Sequence, residues 1–210
     1  MPLDQIDFAS LLCSRLCHDL LSPVGALNNG LELMADETDP EMRQRCFELL
    51  EQSARTSASK LKFFRLAFGS AGGFGESVPA SEVKSAIEGL INDRTTLGWL
   101  VNDAGLPKPA AKCLLNLTLV AADAMVRGGQ LDIGAEQRGN EMELVVRGAG
   151  ERITLDPEIR RALEGQMAED ELTSRTAAAW MTSRLAAQNG GQMMVQTGDG
   201  LIVLGAVMRL

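Results

Sequence analysis

The segment LLCSRLCHDLLSPVGALNNG, residues 11–30, contains His18, the only histidine of the 210-residue chain. Apolar residues recur in and around it every three or four positions, which predicts one long amphipathic helix over about 8–35. At about 100° per residue, His18 lies roughly 150° from the centre of the apolar stripe. The histidine is therefore expected to face away from the core.

Small residues share this helical face with His18. Ser14 lies four positions before it, Ser22 four positions after it and Gly25 seven positions after it. A face with such short side chains leaves space for a flat partner to approach the imidazole ring.

Asp19 and Pro23 give the histidine an unusual setting. A carboxylate beside an imidazole favours the protonated ring and suits general acid–base chemistry, and a neutral imidazole nitrogen is a good nucleophile toward phosphorus. Pro23 has no N–H to donate to the carbonyl of Asp19, so it is expected to bend the helix one turn after His18. The loss of helix stability indicates a purpose beyond helix formation.

Three interpretations of His18 are considered. A metal site shared with Cys13 and Cys17 is disfavoured, because both thiols lie on the apolar stripe and the chain has no second histidine. An exposed histidine without a role remains open. The local pattern favours the third, a histidine that accepts a phosphoryl group.

A second helix is expected over about 40–68. Asp39 suits the N-cap, Pro40 the first helical position and Glu41 the first turn. Only about four residues separate the two helices, so they must form an antiparallel hairpin. Their apolar stripes are too wide for one hairpin to cover. The sequence therefore predicts a homodimer with a four-helix bundle.

The pattern changes after GSAGGFGESVP, residues 69–79, which predicts a linker. Beyond it, strands and helices alternate as in an α/β sandwich with helices on one face of a single sheet. The fold class is α+β, with a helical-hairpin domain over 1–73 and an α/β domain over 74–210. Helices are expected over 81–91 with Ser81 as cap, over 107–126, after Asp156-Pro157 and over 173–188, and strands over 95–101, 130–136, 141–147, 192–197 and 201–209.

Composition restricts the class of protein. A net charge of −8 disfavours nucleic acid as a partner, because such binding depends on neutralising phosphates with Lys and Arg. No apolar run is long enough to span a membrane, and the first residues lack the basic segment of a signal peptide. The four irregularly spaced cysteines are expected to be reduced core thiols. Together these features predict a cytoplasmic protein.

CHDLLSPVGAL, residues 17–27, resembles the H-box of histidine-kinase dimerisation domains, in which an acidic residue follows the histidine and a proline lies five positions after it. Over about 8–73, the segments LLCSRLCHDLLSPVGALNNGLELM, DPEM and ASKLKFFRLAFGSAG are similar to the ChpT-type histidine phosphotransferases of alphaproteobacterial phosphorelays. The similarity is weaker but continuous through the rest of the chain.

The second half resembles a histidine-kinase ATP-binding domain that has lost its ATP site. Val120 stands where kinases have the asparagine that holds Mg²⁺, and Val146 where they have the aspartate that binds adenine. Residues 170–180, DELTSRTAAAW, lack the glycines of the lid that closes over the phosphates. The resemblance therefore implies a domain that binds no nucleotide.

The resemblance implies a dimeric cytoplasmic histidine phosphotransferase. His18 would take a phosphoryl group from the receiver-domain aspartate of a hybrid histidine kinase and pass it to the receiver aspartate of response regulators that control the cell cycle or motility. Asp19 would orient or deprotonate the ring. The residues expected to dock the receiver are Ser14, Arg15, Ser22, Pro23 and Gly25.

The same resemblance implies that the chain has no cofactor or metal of its own, since Mg²⁺ would be held by the receiver domain. Two alternatives remain open. One is an active histidine kinase with a divergent ATP site, and the other is a non-catalytic protein that binds receivers without carrying phosphate.

Overall fold

A computed structural model describes residues 4–69 and 76–209 of the chain. Two long helices open the fold, α1 (Gln5–Asp36) and α2 (Pro40–Ala67). The carboxylate of Asp39 accepts a 3.1 Å hydrogen bond from the main-chain N–H of Glu41, so the N-cap of α2 is the predicted one.

The two helices form the predicted antiparallel hairpin. Near the turn, Arg43 donates to the main-chain carbonyl of Met34 at 3.2 Å. Farther along, Gly30 lies against Leu50, and a Cβ at Gly30 would come within 2.8 Å of that side chain. A larger residue at position 30 would require the Leu50 side chain to move, so glycine permits the packing seen here.

The remaining elements form a mixed α/β layer. Its helices and strands are β1 (Ser77–Pro79), α3 (Ala80–Glu88), β2 (Thr95–Val101), β3 (Gly105–Pro107), α4 (Lys108–Ala124), β4 (Gly129–Arg138), β5 (Glu141–Ala149), α5 (Pro157–Leu163), α6 (Ala177–Gln188), β6 (Gln192–Gly198) and β7 (Leu201–Arg209). The five-stranded sheet has the order β2-β4-β5-β7-β6, in which only β2 and β4 run parallel, and β1 pairs with β3 in a separate two-stranded sheet.

The core lies between one face of the five-stranded sheet and the helices. Along β5, Met142, Leu144 and Val146 are buried, whereas Val145 between them is exposed on the opposite face. α4 is buried along nearly its whole length and packs on β5 and β7. The mixed helix-and-sheet class predicted from the sequence is confirmed.

Two helix starts differ from the predicted ones. α3 begins at Ala80, directly after β1, so Ser81 lies inside the helix and is not its cap. Pro107 belongs to β3 and not to α4, because residues 105–107 pair with β1. Neither three-residue strand was expected, since segments this short have no recognisable alternation.

α6 begins at Ala177, four residues later than the sequence predicts. The main-chain N–H of Thr173 donates to the hydroxyl of Thr176 at 3.1 Å, which holds this segment in a turn. Threonine hydroxyls compete in this way with helical hydrogen bonds, and the helix starts only after them.

The predicted linker over 69–79 includes β1. Residues 70–75, where the predicted boundary between domains 1–73 and 74–210 falls, lie outside the described residues. Among residues 4–69 and 76–209, no helix combines the length and apolarity needed to cross a bilayer.

The hairpin and the α/β layer share one hydrophobic core. Phe63, Phe64 and Leu66, in the last turns of α2, are buried in the same cluster as the side chains of α4. The amide of Asn116 on α4 donates to the main-chain carbonyl of Ala67 at the end of α2, at 3.3 Å. These contacts place α4 beside the half of the hairpin that carries His18.

Candidate functional site

His18 projects from α1 with 83% of its side chain exposed. Its Nδ1 lies 3.2 Å from Oδ1 of Asp19, and Nε2 has no hydrogen-bond partner among the described residues. A carboxylate can only accept a hydrogen bond, so the nitrogen facing Asp19 is the one that carries the proton. That leaves the Nε2 lone pair directed away from Asp19 and available to an external electrophile.

The face around the imidazole is open, as the small residues predict. Ser14 and Ser22 are exposed on either side of His18. At Gly25 a Cβ would meet nothing within 4 Å. A partner surface can therefore reach the ring without moving a side chain of this face.

Asp19 is held much more tightly than the histidine that it contacts. Only 15% of its side chain is exposed, and its Oδ2 accepts a 2.6 Å hydrogen bond from Nε of Arg15, four residues earlier on the same helix. With Oδ2 occupied, Oδ1 is the oxygen that faces His18. The orientation of the imidazole is thus fixed by a carboxylate that is itself fixed.

Lys60 on α2 completes the main-chain hydrogen bonding at Asp19. Because Pro23 has no N–H, the carbonyl of Asp19 lacks its usual helical donor. The ammonium of Lys60 donates to that carbonyl at 2.9 Å. Lys60 thereby satisfies the carbonyl that the proline leaves without a donor and links the two helices at the residue next to His18.

Arg15 bridges the hairpin and the α/β layer. While its Nε donates to Asp19, a terminal nitrogen donates to Oδ2 of Asp123 on α4 at 2.9 Å. Burial alone would lower the pKa of Arg15, but the hydrogen bonds and charges of the two carboxylates outweigh burial and raise the pKa. Together with Lys60, these residues line a small polar cavity of about 190 Å³.

The structure brings together most, but not all, of the residues predicted for the site. His18 and Asp19 are in contact, and Ser14, Ser22 and Gly25 share the open face. Two docking predictions do not fit that face. Pro23 is buried, and Arg15 turns toward α4 with only 15% of its side chain exposed.

Sequence reasoning missed Lys60 and Asp123. Pro23 does signal a carbonyl in need of a donor, but nothing local identifies a lysine 41 residues from Asp19 as that donor. Asp123 does carry a signal, because it is the only charged residue of α4 after Lys112. A lone carboxylate in an apolar helix indicates a partner on a neighbouring element.

The cysteines differ in part from the expectation of core thiols. Cys46 and Cys113 are buried, and burial raises the pKa of the Cys113 thiol to about 12. Cys13 and Cys17 are exposed in the single chain. Among residues 4–69 and 76–209, no group of three or more His, Cys, Asp or Glu side chains is placed to hold a metal ion.

The residues that stand in place of ATP ligands belong to the core. Val146 is fully buried on β5, and Val120 is buried on α4. At Gly148, a Cβ would lie 2.7 Å from the sulfur of Met125 and 2.9 Å from Ile202. Apolar side chains thus pack over the region where the resemblance places the adenine.

Comparisons with known proteins agree with one another. A family model described as the histidine phosphotransferase C-terminal domain matches residues 80–200. The protein phosphotransferase ChpT of Brucella abortus (strain 2308) is 32% identical over 207 residues, which cover 98% of each chain. A solved structure described as a bacterial phosphotransferase is 29% identical, with a TM-score of 0.86 and 98% of both chains covered.

Proposed function

The chain belongs to the histidine phosphotransferase family, and on that premise we propose that His18 is the residue that carries the phosphoryl group. The family model covers the α/β layer and not the hairpin, so the assignment of His18 depends on the site itself. The observation that supports it is the exposed imidazole with Nδ1 facing Asp19 and Nε2 left open.

The phosphoryl group moves in two in-line steps. In the first, the Nε2 lone pair attacks the phosphorus of a phospho-aspartate, and an N–P bond forms as the P–O bond breaks and its electrons return to the aspartate carboxylate. Nδ1 keeps its proton, so the phosphorylated ring is cationic and is stabilised by Asp19. In the second step, another aspartate carboxylate attacks the phosphorus, and the N–P electrons return to Nε2.

The partners that fit this chemistry are receiver domains. The donor would be the receiver of a hybrid histidine kinase, and the acceptors would be the receivers of response regulators, in a cytoplasmic phosphorelay. Ser14, Ser22 and Gly25 would form the docking face, because all three lie on the open surface around His18. Mg²⁺ would be held by the acidic residues of the receiver.

We further propose that the chain does not use ATP as a phosphoryl donor. Val120 and Val146 are apolar and buried, and neither can coordinate Mg²⁺ or accept a hydrogen bond from adenine. The α/β layer then serves to support the hairpin and to present the histidine.

A homodimer is part of the proposal. Exposed residues follow each other along α1 at spacings of seven, four, four, three and seven, namely Ile6, Cys13, Cys17, Leu21, Val24 and Leu31. On α2 the exposed residues Phe47, Ala54, Ala58 and Leu61 have spacings of seven, four and three. Such stripes are typical of helices that pack against a second helical pair, and a second copy of the hairpin would cover both.

A radiolabel transfer assay tests the proposed function. The purified chain and its His18→Gln variant are each mixed with radiolabelled ATP and Mg²⁺, or with receiver domains charged with labelled phosphate by their own kinases. We expect label only on the wild type and only from a charged receiver. Label from ATP alone would make the chain a kinase, and no label from either donor would leave a receiver-binding protein.

A further inference from the structure

Asp123 is the residue through which the α/β layer reaches the phosphotransfer site. It lies near the end of α4, and its Oδ2 accepts a 2.9 Å hydrogen bond from Arg15 on α1. The other side of the same guanidinium binds Asp19, which contacts His18. A chain of three polar contacts thus leads from the second layer to the imidazole ring.

The rigid shape of the Arg15 guanidinium couples its contact with Asp123 to its contact with Asp19. Arginine presents its donors in a rigid planar fork, so binding Asp123 with one nitrogen fixes where Nε meets Asp19. The pair of Arg15 and Asp19 is mostly buried, with 15% of each side chain exposed. With one end of the fork anchored on Asp123, Nε holds Asp19 in the orientation that aims Oδ1 at Nδ1 of His18.

Asp123 also sets the charge of the group. Without Asp123, the side chains of Arg15, Lys60 and Asp19 would carry a formal charge of +1 beside the ring. The carboxylate of Asp123 brings that sum to zero, which removes a net repulsion of a cationic ring. The ring becomes cationic when it is phosphorylated.

Attachment of the two layers does not require this contact. The end of α2 is buried among Phe63, Phe64 and Leu66 and is hydrogen-bonded to Asn116, whereas half of the Asp123 side chain is exposed. An exposed carboxylate adds little to an interface that is already closed by apolar packing. The contact of Asp123 with Arg15 therefore contributes more to the position of Asp19 than to the attachment of the two layers.

We propose that Asp123 is a positioning residue for phosphotransfer. Acting through Arg15 and Asp19, it keeps the proton of His18 on Nδ1 and the lone pair on Nε2. The effect on transfer rests on the function proposed for His18, but the effect on the ring does not, because the tautomer exists in the unphosphorylated chain.

The single histidine makes the test direct, because ¹⁵N NMR of the ring shows the tautomer of His18 without overlap. The full chain is compared with Asp123→Asn and with a matched control, Asp132→Asn, whose carboxylate pairs with Arg147 on the sheet. We expect Asp123→Asn to lower the fraction of the Nδ1–H form and the control to leave it unchanged. Arg15→Lys, which keeps the charge but loses the fork, should shift the ring in the same direction, and it tests the proposal should Asp123→Asn fail to fold.

Reaction rate supplies the second readout. Each folded variant is incubated with phosphoramidate, a small donor that needs no docking surface, and the gain of one phosphoryl mass is followed. We expect about a tenfold slower reaction for Asp123→Asn, since roughly one charge interaction is lost, and restoration by Asp123→Glu. An unchanged tautomer and an unchanged rate in the folded variants would overturn the role of Asp123. A wild type that shows the Nδ1–H form but takes no phosphate from any receiver would instead contradict the proposed function.

Discussion

The ammonium of Lys60 lies 2.9 Å from the main-chain carbonyl oxygen of Asp19, the carbonyl that Pro23 leaves without a helical donor. One helix of the hairpin thus supplies the hydrogen bond that the other lacks, at the residue next to His18, the proposed phosphoryl acceptor. A proline in the middle of a long helix is costly, and the lysine offsets part of that cost while it fixes the main chain at Asp19.

Replacing Lys60 with methionine should destabilise the chain by about 1 kcal/mol, because the Asp19 carbonyl loses the donor that stands in for the missing N–H of Pro23. Urea unfolding measures the loss. In a Pro23→Ala background the helical N–H is restored, so the same lysine change should cost much less. The control is Lys62→Met, because the ammonium of Lys62 donates to the exposed hydroxyl of Ser85 and to no main-chain carbonyl among the described residues. Equal costs in both backgrounds would show that Lys60 does not compensate for the proline.

Charge placed on the exposed helical stripes should separate the proposed dimer. We expect the wild type to have twice the 22.5 kDa chain mass in sedimentation equilibrium. Phe47→Glu should raise the dissociation constant by about a hundredfold or more, because a charge would be buried among apolar side chains. Leu100→Glu, at an equally exposed position on the sheet, is the control and should stay dimeric. A wild type that is monomeric throughout a dilution series would rule out the bundle.

Restoring the acid of a working ATP site should not restore nucleotide binding. Val146→Asp would bury an unpaired carboxylate in the core and lower the free energy of unfolding by about 3 kcal/mol or more. Val145→Asp, one position along the same strand, faces solvent and should change stability by about 0.5 kcal/mol at most. Denaturant melts and calorimetric titration with ATP and Mg²⁺ provide the measurements. ATP binding by either variant or by the wild type would contradict the inference that apolar side chains occupy the place of an ATP site.

Alkaline pH should destabilise the chain through Cys113. Burial raises the pKa of this thiol in the folded state from 9.0 to about 12, so its contribution to stability is complete below pH 9 and is lost as the pH rises toward 12. Above pH 9 the wild type should lose up to about 1.4 kcal/mol per pH unit more than Cys113→Ala. Urea melts from pH 8 to 10.5 compare the two, and the chain has no tyrosine to confuse the titration. If the free energy of unfolding fell equally with pH in the wild type and in Cys113→Ala, ionisation of the Cys113 thiol on unfolding would be ruled out as the cause.

Local patterns were enough to predict most of the elements. The N-cap at Asp39, the proline after it and the regular apolar spacing specified the hairpin, and the pattern along 141–147 specified a strand. Boundaries failed where short-range hydrogen bonds override propensity, as with the hydroxyls of Thr173 and Thr176. The three-residue strands at β1 and β3 carry too little periodicity to be recognised.

From the sequence, only the features of the site that lie on the single helix α1 could be predicted. Helical geometry alone placed His18 outward and Asp19 beside it. The contacts that fix Asp19 come from Lys60 and Asp123, which are distant in sequence and reach it only after the layers have packed. Arg15 shows the limit most clearly, since the family resemblance implied a docking role for it, whereas the carboxylate of Asp123 on α4 draws it inward.

Locating the transferred phosphate on the charged protein tests the central claim most directly. The chain would be phosphorylated by a charged receiver domain, and ¹⁵N and ³¹P NMR would then identify the nitrogen that is bonded to phosphorus. We predict a single N–P bond, at Nε2 of His18, and none in His18→Gln. Phosphate on Nδ1 or on any other residue, or transfer that persists in His18→Gln, would contradict the account.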